Sequence, residues 1–166
     1  MKKLRVICII PARGGSKGLK LKNLRKVNGK PLIYYPINAA IKSEVCDAVF
    51  VSTDSKKIAD SAKRFGAEVP FLRKAKFSKD LTTTETTLQN ALVEYEDYIG
   101  KKFDICVFLT CTNIFRKVEW IRFAVQQLKK NYRLDSVFSV HHLYKHFWHY
   151  KKNKPKKVLS WMKEYT

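Results

Sequence analysis

Cations and glycines are interleaved in one short segment, Pro11-Ala12-Arg13-Gly14-Gly15-Ser16-Lys17-Gly18-Leu19. Glycine lacks a Cβ, so a turn built from it can press backbone N–H groups against a phosphate chain. Arg13 and Lys17, with Lys20 and Lys22 beyond them, add positive charge for a polyanion. The chemistry this set suits is binding of a nucleoside triphosphate. Neither common nucleotide fingerprint is present. A P-loop needs lysine and a hydroxyl residue after its last glycine, and here Leu19 follows Gly18. The glycines at 14, 15 and 18 also do not fit G-x-G-x-x-G.

Two other sets of chemistry-bearing residues are weaker. His141, His142, His146 and His149 lie in one aromatic run, but no carboxylate or cysteine is near and Lys145 interrupts them. Aromatic packing is expected there, and zinc is not. Cys8, Cys46, Cys106 and Cys111 form no C-x-x-C pair and read as buried free thiols, with Cys111 in a loop that could face substrate.

The glycine-rich segment must be held by something. It leaves the apolar run Val6-Ile7-Cys8-Ile9-Ile10, which reads as a buried strand. Further strands are expected at 48–53, 68–71, 105–109 and 136–140. Helical spacing of apolar residues predicts helices over 32–43, 84–98 and from Val118 to Leu128, with Pro31 at the first position of the earliest. Another helix carries Ile58, Ala59, Ala62 and Phe65, is capped by Asp54 or Ser55, and stops at Gly66. Thr82 and Glu85 have capping-box spacing. Strands alternating with helices imply a mostly parallel sheet covered on both faces, which binds ligands outside the carboxyl ends of its strands. Three loops fall at that edge: 11–23, 54–55 and 110–116.

The 166 residues suit a single domain spanning 1–166, with 141–166 as a hairpin extension. The 45% hydrophobic content excludes a disordered chain. No apolar run reaches the roughly 20 residues of a membrane span. The first apolar run is too short for a secretory signal, so a cytoplasmic protein without membrane association is expected. The net charge of +20 is spread over most segments, densest at 151–157. With no continuous basic stripe, solvated lysines are the expected reading, and specific nucleic-acid binding is not.

The opening segment closely resembles the acylneuraminate cytidylyltransferases, the CMP-sialic acid synthetases and their relatives. Lys22-Asn23, Asn28-Gly29-Lys30-Pro31-Leu32, Val51-Ser52-Thr53-Asp54-Ser55, Phe65-Gly66-Ala67 and Leu72-Arg73 support the likeness, which covers about residues 4–140. The resemblance implies an α/β, Rossmann-like nucleotidyltransferase fold of three layers with a mostly parallel sheet. It implies transfer of CMP from CTP to an acidic, sialic-acid-like nonulosonic sugar, with release of pyrophosphate, by a protein that could act as a homodimer. Arg13 and Lys22 would be catalytic. Ala12, Arg13, Gly14, Gly15, Ser16, Lys17, Asn23, Arg73, Asp80, Thr82 and Thr84 would bind nucleotide, and Thr110 and Arg116 the sugar.

Two departures stand out. Thr110 and Cys111 occupy positions where the family usually has glutamine and proline, so an unusual sugar is expected. The family's Asp-x-Asp motif for Mg²⁺ has no counterpart, which suggests a C-terminally truncated member. The alternatives are a non-catalytic CTP- or sugar-binding remnant and, further off, a basic nucleic-acid-associated protein.

Overall fold

The computed structural model describes residues 3–15, 19, 21–74, 77, 83–140, 148–151 and 154–157, the last two ranges as backbone alone. The sheet that organises the chain has three parallel strands: β1 (Val6–Pro11), β4 (Ala48–Ser52) and β5 (Ile105–Phe108), in the order β4-β1-β5. Ile9 of β1 sits between Phe50 and Phe108. The central strand is buried along almost its whole length, as expected for a continuous apolar run in a parallel sheet.

Helices cover both faces. Cys8, Ile10, Val49 and Val51 pack on one face against Ile37 and Ala40 of α1 (Tyr34–Ser43), Ile58 and Ala62 of α2 (Lys56–Arg64) and Ile121 of α4 (Val118–Lys130). Ile7, Ile9 and Phe50 meet Ala91 and Tyr95 of α3 (Thr84–Ile99) on the other. Tyr95 stacks on Phe50 at 4.8 Å between ring centroids, and its hydroxyl donates to Glu68 at 2.7 Å. The buried polar end of the ring is thereby satisfied. The expected α/β architecture, a parallel sheet between helical layers, is what the chain adopts.

Several boundaries differ from the expectation. Pro31 does not begin a helix. It closes a hairpin of β2 (Lys26–Val27) and β3 (Lys30–Pro31), and α1 starts at Tyr34. Asn28 and Gly29 both take positive φ, 47° and 74°, as a tight two-residue hairpin turn requires. The N-cap of α3 is Thr83, not Thr82: its side chain accepts from the Thr86 N–H at 3.2 Å. Three consecutive threonines make the register of that cap ambiguous from sequence. The segment 68–71 is reduced to one parallel bridge, Glu68 with Phe50.

Residues 136–140 are not a strand. They make no sheet pairing among the described residues, and Phe138 and Val140 are each 78% exposed. β-branched and aromatic side chains supply a β preference, but a strand also needs a partner for its N–H and C=O groups. A separate antiparallel pair, β6 (Trp148–Lys151) with β7 (Lys154–Lys157), holds part of the lysine cluster in its backbone. No helix among the described residues is long and apolar enough to cross a membrane.

Candidate functional site

The three strands end together, and each hands its chain to a loop at the same edge. From β1 the backbone continues through Ala12, whose N–H donates to the Ser52 carbonyl at 2.9 Å and which is 1% exposed. Arg13 and Gly14 follow. The Gly14 N–H donates to Asp54 Oδ1 at 2.7 Å, tying the first loop to the end of β4. A Cβ at Gly14 would come to 3.0 Å from Ser55 Cβ, so glycine eases a close approach here, and a larger residue would need Ser55 to give by a few tenths of an ångström. Asp54 therefore does not cap α2. Ser55 holds the N-cap position without a side-chain hydrogen bond, while the Asp54 carboxylate reaches across to the neighbouring loop.

Asn23 supports the loop from behind. It is buried, its Nδ2 donates to the Arg13 carbonyl at 3.1 Å, and its own carbonyl accepts from Ile33 N–H at 2.9 Å. Lys22–Leu24 form one 3₁₀ turn, entered through Leu21 in the left-handed region at φ 52°. Arg73 arrives from beyond the Glu68 bridge. Its N–H donates to the Thr53 carbonyl at 2.7 Å and the residue is 7% exposed. Burial lowers the pKa of its guanidinium, the Asp54 charge raises it, and the Arg13 charge lowers it again. Arg13, Asp54 and Arg73 thus share one electrostatic environment.

The loop after β5 closes the other side. Both terminal nitrogens of Arg116 donate to the Thr110 carbonyl, at 3.4 and 3.3 Å. Burial pushes the Cys111 thiol up to about 12, against the nearby charges of Lys22 and Arg116. Cys111 is 4% exposed and so packs inward, away from the substrate-facing place expected for it. Cys8 is also buried, but Cys106 is exposed, contrary to the expectation of four buried thiols; among the described residues β5 is an edge strand paired with β1 alone.

Of the residues singled out in the sequence, Ala12, Arg13, Gly14, Lys22, Asn23, Arg73, Thr110 and Arg116 lie in these converging segments. Gly15 is exposed in the first loop, and Thr84 is the exposed first residue of α3. Ser16, Lys17, Asp80 and Thr82, with the histidines 141, 142 and 146, lie outside the described residues. Sequence reasoning missed the role of Asp54 as the link between two loops. A carboxylate directly after a strand was its only signal, and an N-cap has the same signal.

A metal ion is implied by the resemblance. Among the described residues no group of three His, Cys, Asp or Glu side chains could hold one. Asp54 brings a single carboxylate to this edge, and one of its oxygens is already taken by the Gly14 N–H. That set does not fit a resident metal site.

A parallel sheet whose strand ends present clustered cations on short loops defines a nucleotidyltransferase-like α/β protein. Two solved structures agree at the level of fold. A CMP:2-keto-3-deoxy-manno-octonic acid synthetase complexed with CTP matches with a TM-score of 0.64 at 22% identity, over 78% of this chain and 49% of that one. A 4-diphosphocytidyl-2C-methyl-D-erythritol synthase matches with a TM-score of 0.68 at 11% identity, over 95% and 69%. The family model described as cytidylyltransferase matches residues 7–164, and the chain belongs to that family. It is 43% identical over 123 residues to a CMP-N,N'-diacetyllegionaminic acid synthase of Legionella pneumophila, covering 74% of this chain and 53% of the relative. It is 38% identical over 145 residues to an N-acylneuraminate cytidylyltransferase of Streptococcus agalactiae, covering 86% and 33%. The chain therefore spans between a third and about half of the length of these relatives.

Proposed function

We propose that the chain carries the CTP-binding part of a cytidylyltransferase that transfers CMP to a sialic-acid-like nonulosonic sugar and releases pyrophosphate. The observation that carries this reading is the meeting of Arg13, Lys22, Arg73 and Arg116 at the carboxyl ends of β1, β4 and β5, around loops tied together by Asp54 and Asn23. The names of the relatives, legionaminic and neuraminic acid synthases, support the sugar class.

In this reading the anomeric hydroxyl of the sugar attacks the α-phosphorus of CTP and gives up its proton to solvent. The bond to the β-phosphate oxygen breaks, and pyrophosphate leaves with the electron pair. Negative charge grows on the pentavalent centre and on the leaving group. Cations held in place beforehand lower that barrier, because they need not reorganise as the charge develops. Arg13 and Lys22 take this task, with Ser16 and Lys17 on the triphosphate. Arg73, with Asp80, Thr82 and Thr84, reads the cytidine. Thr110 and Arg116 face the acidic sugar. A cytoplasmic location and a homodimer belong to the same reading.

Calorimetry with CTP, followed by pyrophosphate release over legionaminic, pseudaminic and neuraminic acids, tests it. Binding with turnover is the expected result. Binding without turnover assigns the chain to nucleotide binding alone. Absence of CTP binding at millimolar concentration removes the nucleotide reading altogether.

A further inference from the structure

A second cationic region lies on the flank of α2, apart from the loops just described. A cleft of about 630 Å³ opens between α2 and the β2–β3 hairpin, within the size range of small-molecule sites. Lys57 and Arg64 approach it from α2; Lys26 and Lys30 approach it from the hairpin. Asp60 is the one carboxylate in its lining. Among the described residues, none of these four cations is within ion-pair distance of a carboxylate. Like charges gathered without counter-charge repel one another, and an anion bound among them removes that penalty.

The walls have a fixed shape. Lys57, Asp60, Ser61 and Arg64 recur at helical spacing and so share one face of α2. The hairpin is held by its Asn28–Gly29 turn, by the Leu32 N–H on the Arg25 carbonyl at 2.9 Å, and by the Tyr35 hydroxyl on the Val27 carbonyl at 2.5 Å. The Lys30 ammonium lies 5.4 Å from the centroid of the Tyr34 ring, which meets Phe65 edge-on at 5.1 Å. Leu24 and Phe65 line the cleft and also pack against the main core.

We propose that this cleft is a second anion site, which takes a small molecule bearing a di- or triphosphate. The charge balance of four cations to one carboxylate suits a ligand of two or more negative charges. The cleft's volume of about 630 Å³ suits a compact ligand rather than an extended polymer.

The test is calorimetric titration of inorganic pyrophosphate into the Arg13→Ala chain, in which anion binding at the strand edge is weakened, at 0.15 M salt. Pyrophosphate is expected to bind with one-to-one stoichiometry. Adding Lys57→Ala and Arg64→Ala should weaken it at least about tenfold, the scale for losing charge-assisted hydrogen bonds. Asp60→Asn should tighten it. A matched control, Lys129→Ala with Lys130→Ala on α4, should leave the affinity unchanged, and circular dichroism checks that each variant is folded. The proposal is overturned if the cleft and control variants behave alike, which would mean attraction to the overall +20 charge. It is equally overturned if a single-stranded oligonucleotide competes for the cleft more tightly than pyrophosphate.

Discussion

The chain gathers cations in two places and treats them in opposite ways. At the strand edge Arg73 is buried and Arg116 half-buried, and each is fixed by backbone contacts made by the residue. There Asp54 gives Arg73 a counter-charge while its oxygen holds the Gly14 N–H. In the α2 cleft, Lys26, Lys30, Lys57 and Arg64 are all exposed. Desolvated cations in fixed positions suit a transition state, where alignment determines the rate. Exposed cations on flexible stems suit capture of an anion, where accumulated charge matters more than geometry. Burial, rather than the number of positive residues, separates the two tasks.

The largest expected effect that would break this comparison comes from Asp54→Ala. It leaves the Gly14 N–H without its carboxylate acceptor and the buried Arg73 without its counter-charge. Stability should fall by about 2–4 kcal/mol in denaturant titrations. Lys57→Ala with Arg64→Ala should stay within about 0.5 kcal/mol of the parent, as exposed substitutions do. Equal costs at the two places would abolish the distinction.

Arg13→Ala comes next and should weaken CTP binding by about 1–3 kcal/mol, read by calorimetry, with little change in melting temperature. Unchanged affinity would remove Arg13 from the site. Gly29→Ala puts a Cβ on a residue at φ +74° and should cost about 1 kcal/mol of stability. It should also weaken pyrophosphate binding, because the hairpin carries Lys26 and Lys30, while CTP binding at the strand edge is preserved.

The smallest effect calibrates a single carboxylate–ammonium pair away from both regions. Burial alone would push Glu96 up, but Lys102 at 2.9 Å and the Phe103 N–H at 2.8 Å hold it below its usual value of 4.5. A carboxyl group with a lowered folded-state pKa contributes stability above its unfolded value and loses it as pH falls through the folded one. Stability measured from pH 6 down to pH 3 should therefore decline in the parent. In Glu96→Gln the decline should be shallower below about pH 4.5.

Much of the site was legible because its signals are local. The glycine-rich segment after an apolar run located the first loop, and Asp54-Ser55 and Thr110 to Arg116 followed from the ends of other strands. The helices α2 and α4 could be read from their apolar spacing. What misled was local pattern whose outcome is set elsewhere. The Asn28-Gly29 hairpin turn went unread and Pro31 read as a helix start, because each strand of that hairpin is only two residues long. The segment 136–140 has the side chains of a strand and finds no pairing among the described residues.

By itself the sequence determined the α/β class, the sheet edge at which the candidate loops meet and the cytidylyltransferase resemblance. Apolar periodicity, turn residues and contiguous motifs act over a few residues and survive without contacts. Only the tertiary structure decided that Asp54 reaches Gly14, that Arg73 is buried beside Arg13 while Lys57 and Arg64 stay in water, and that Cys111 turns inward. Those outcomes depend on which surfaces are desolvated when distant segments meet, and no local spacing encodes that burial.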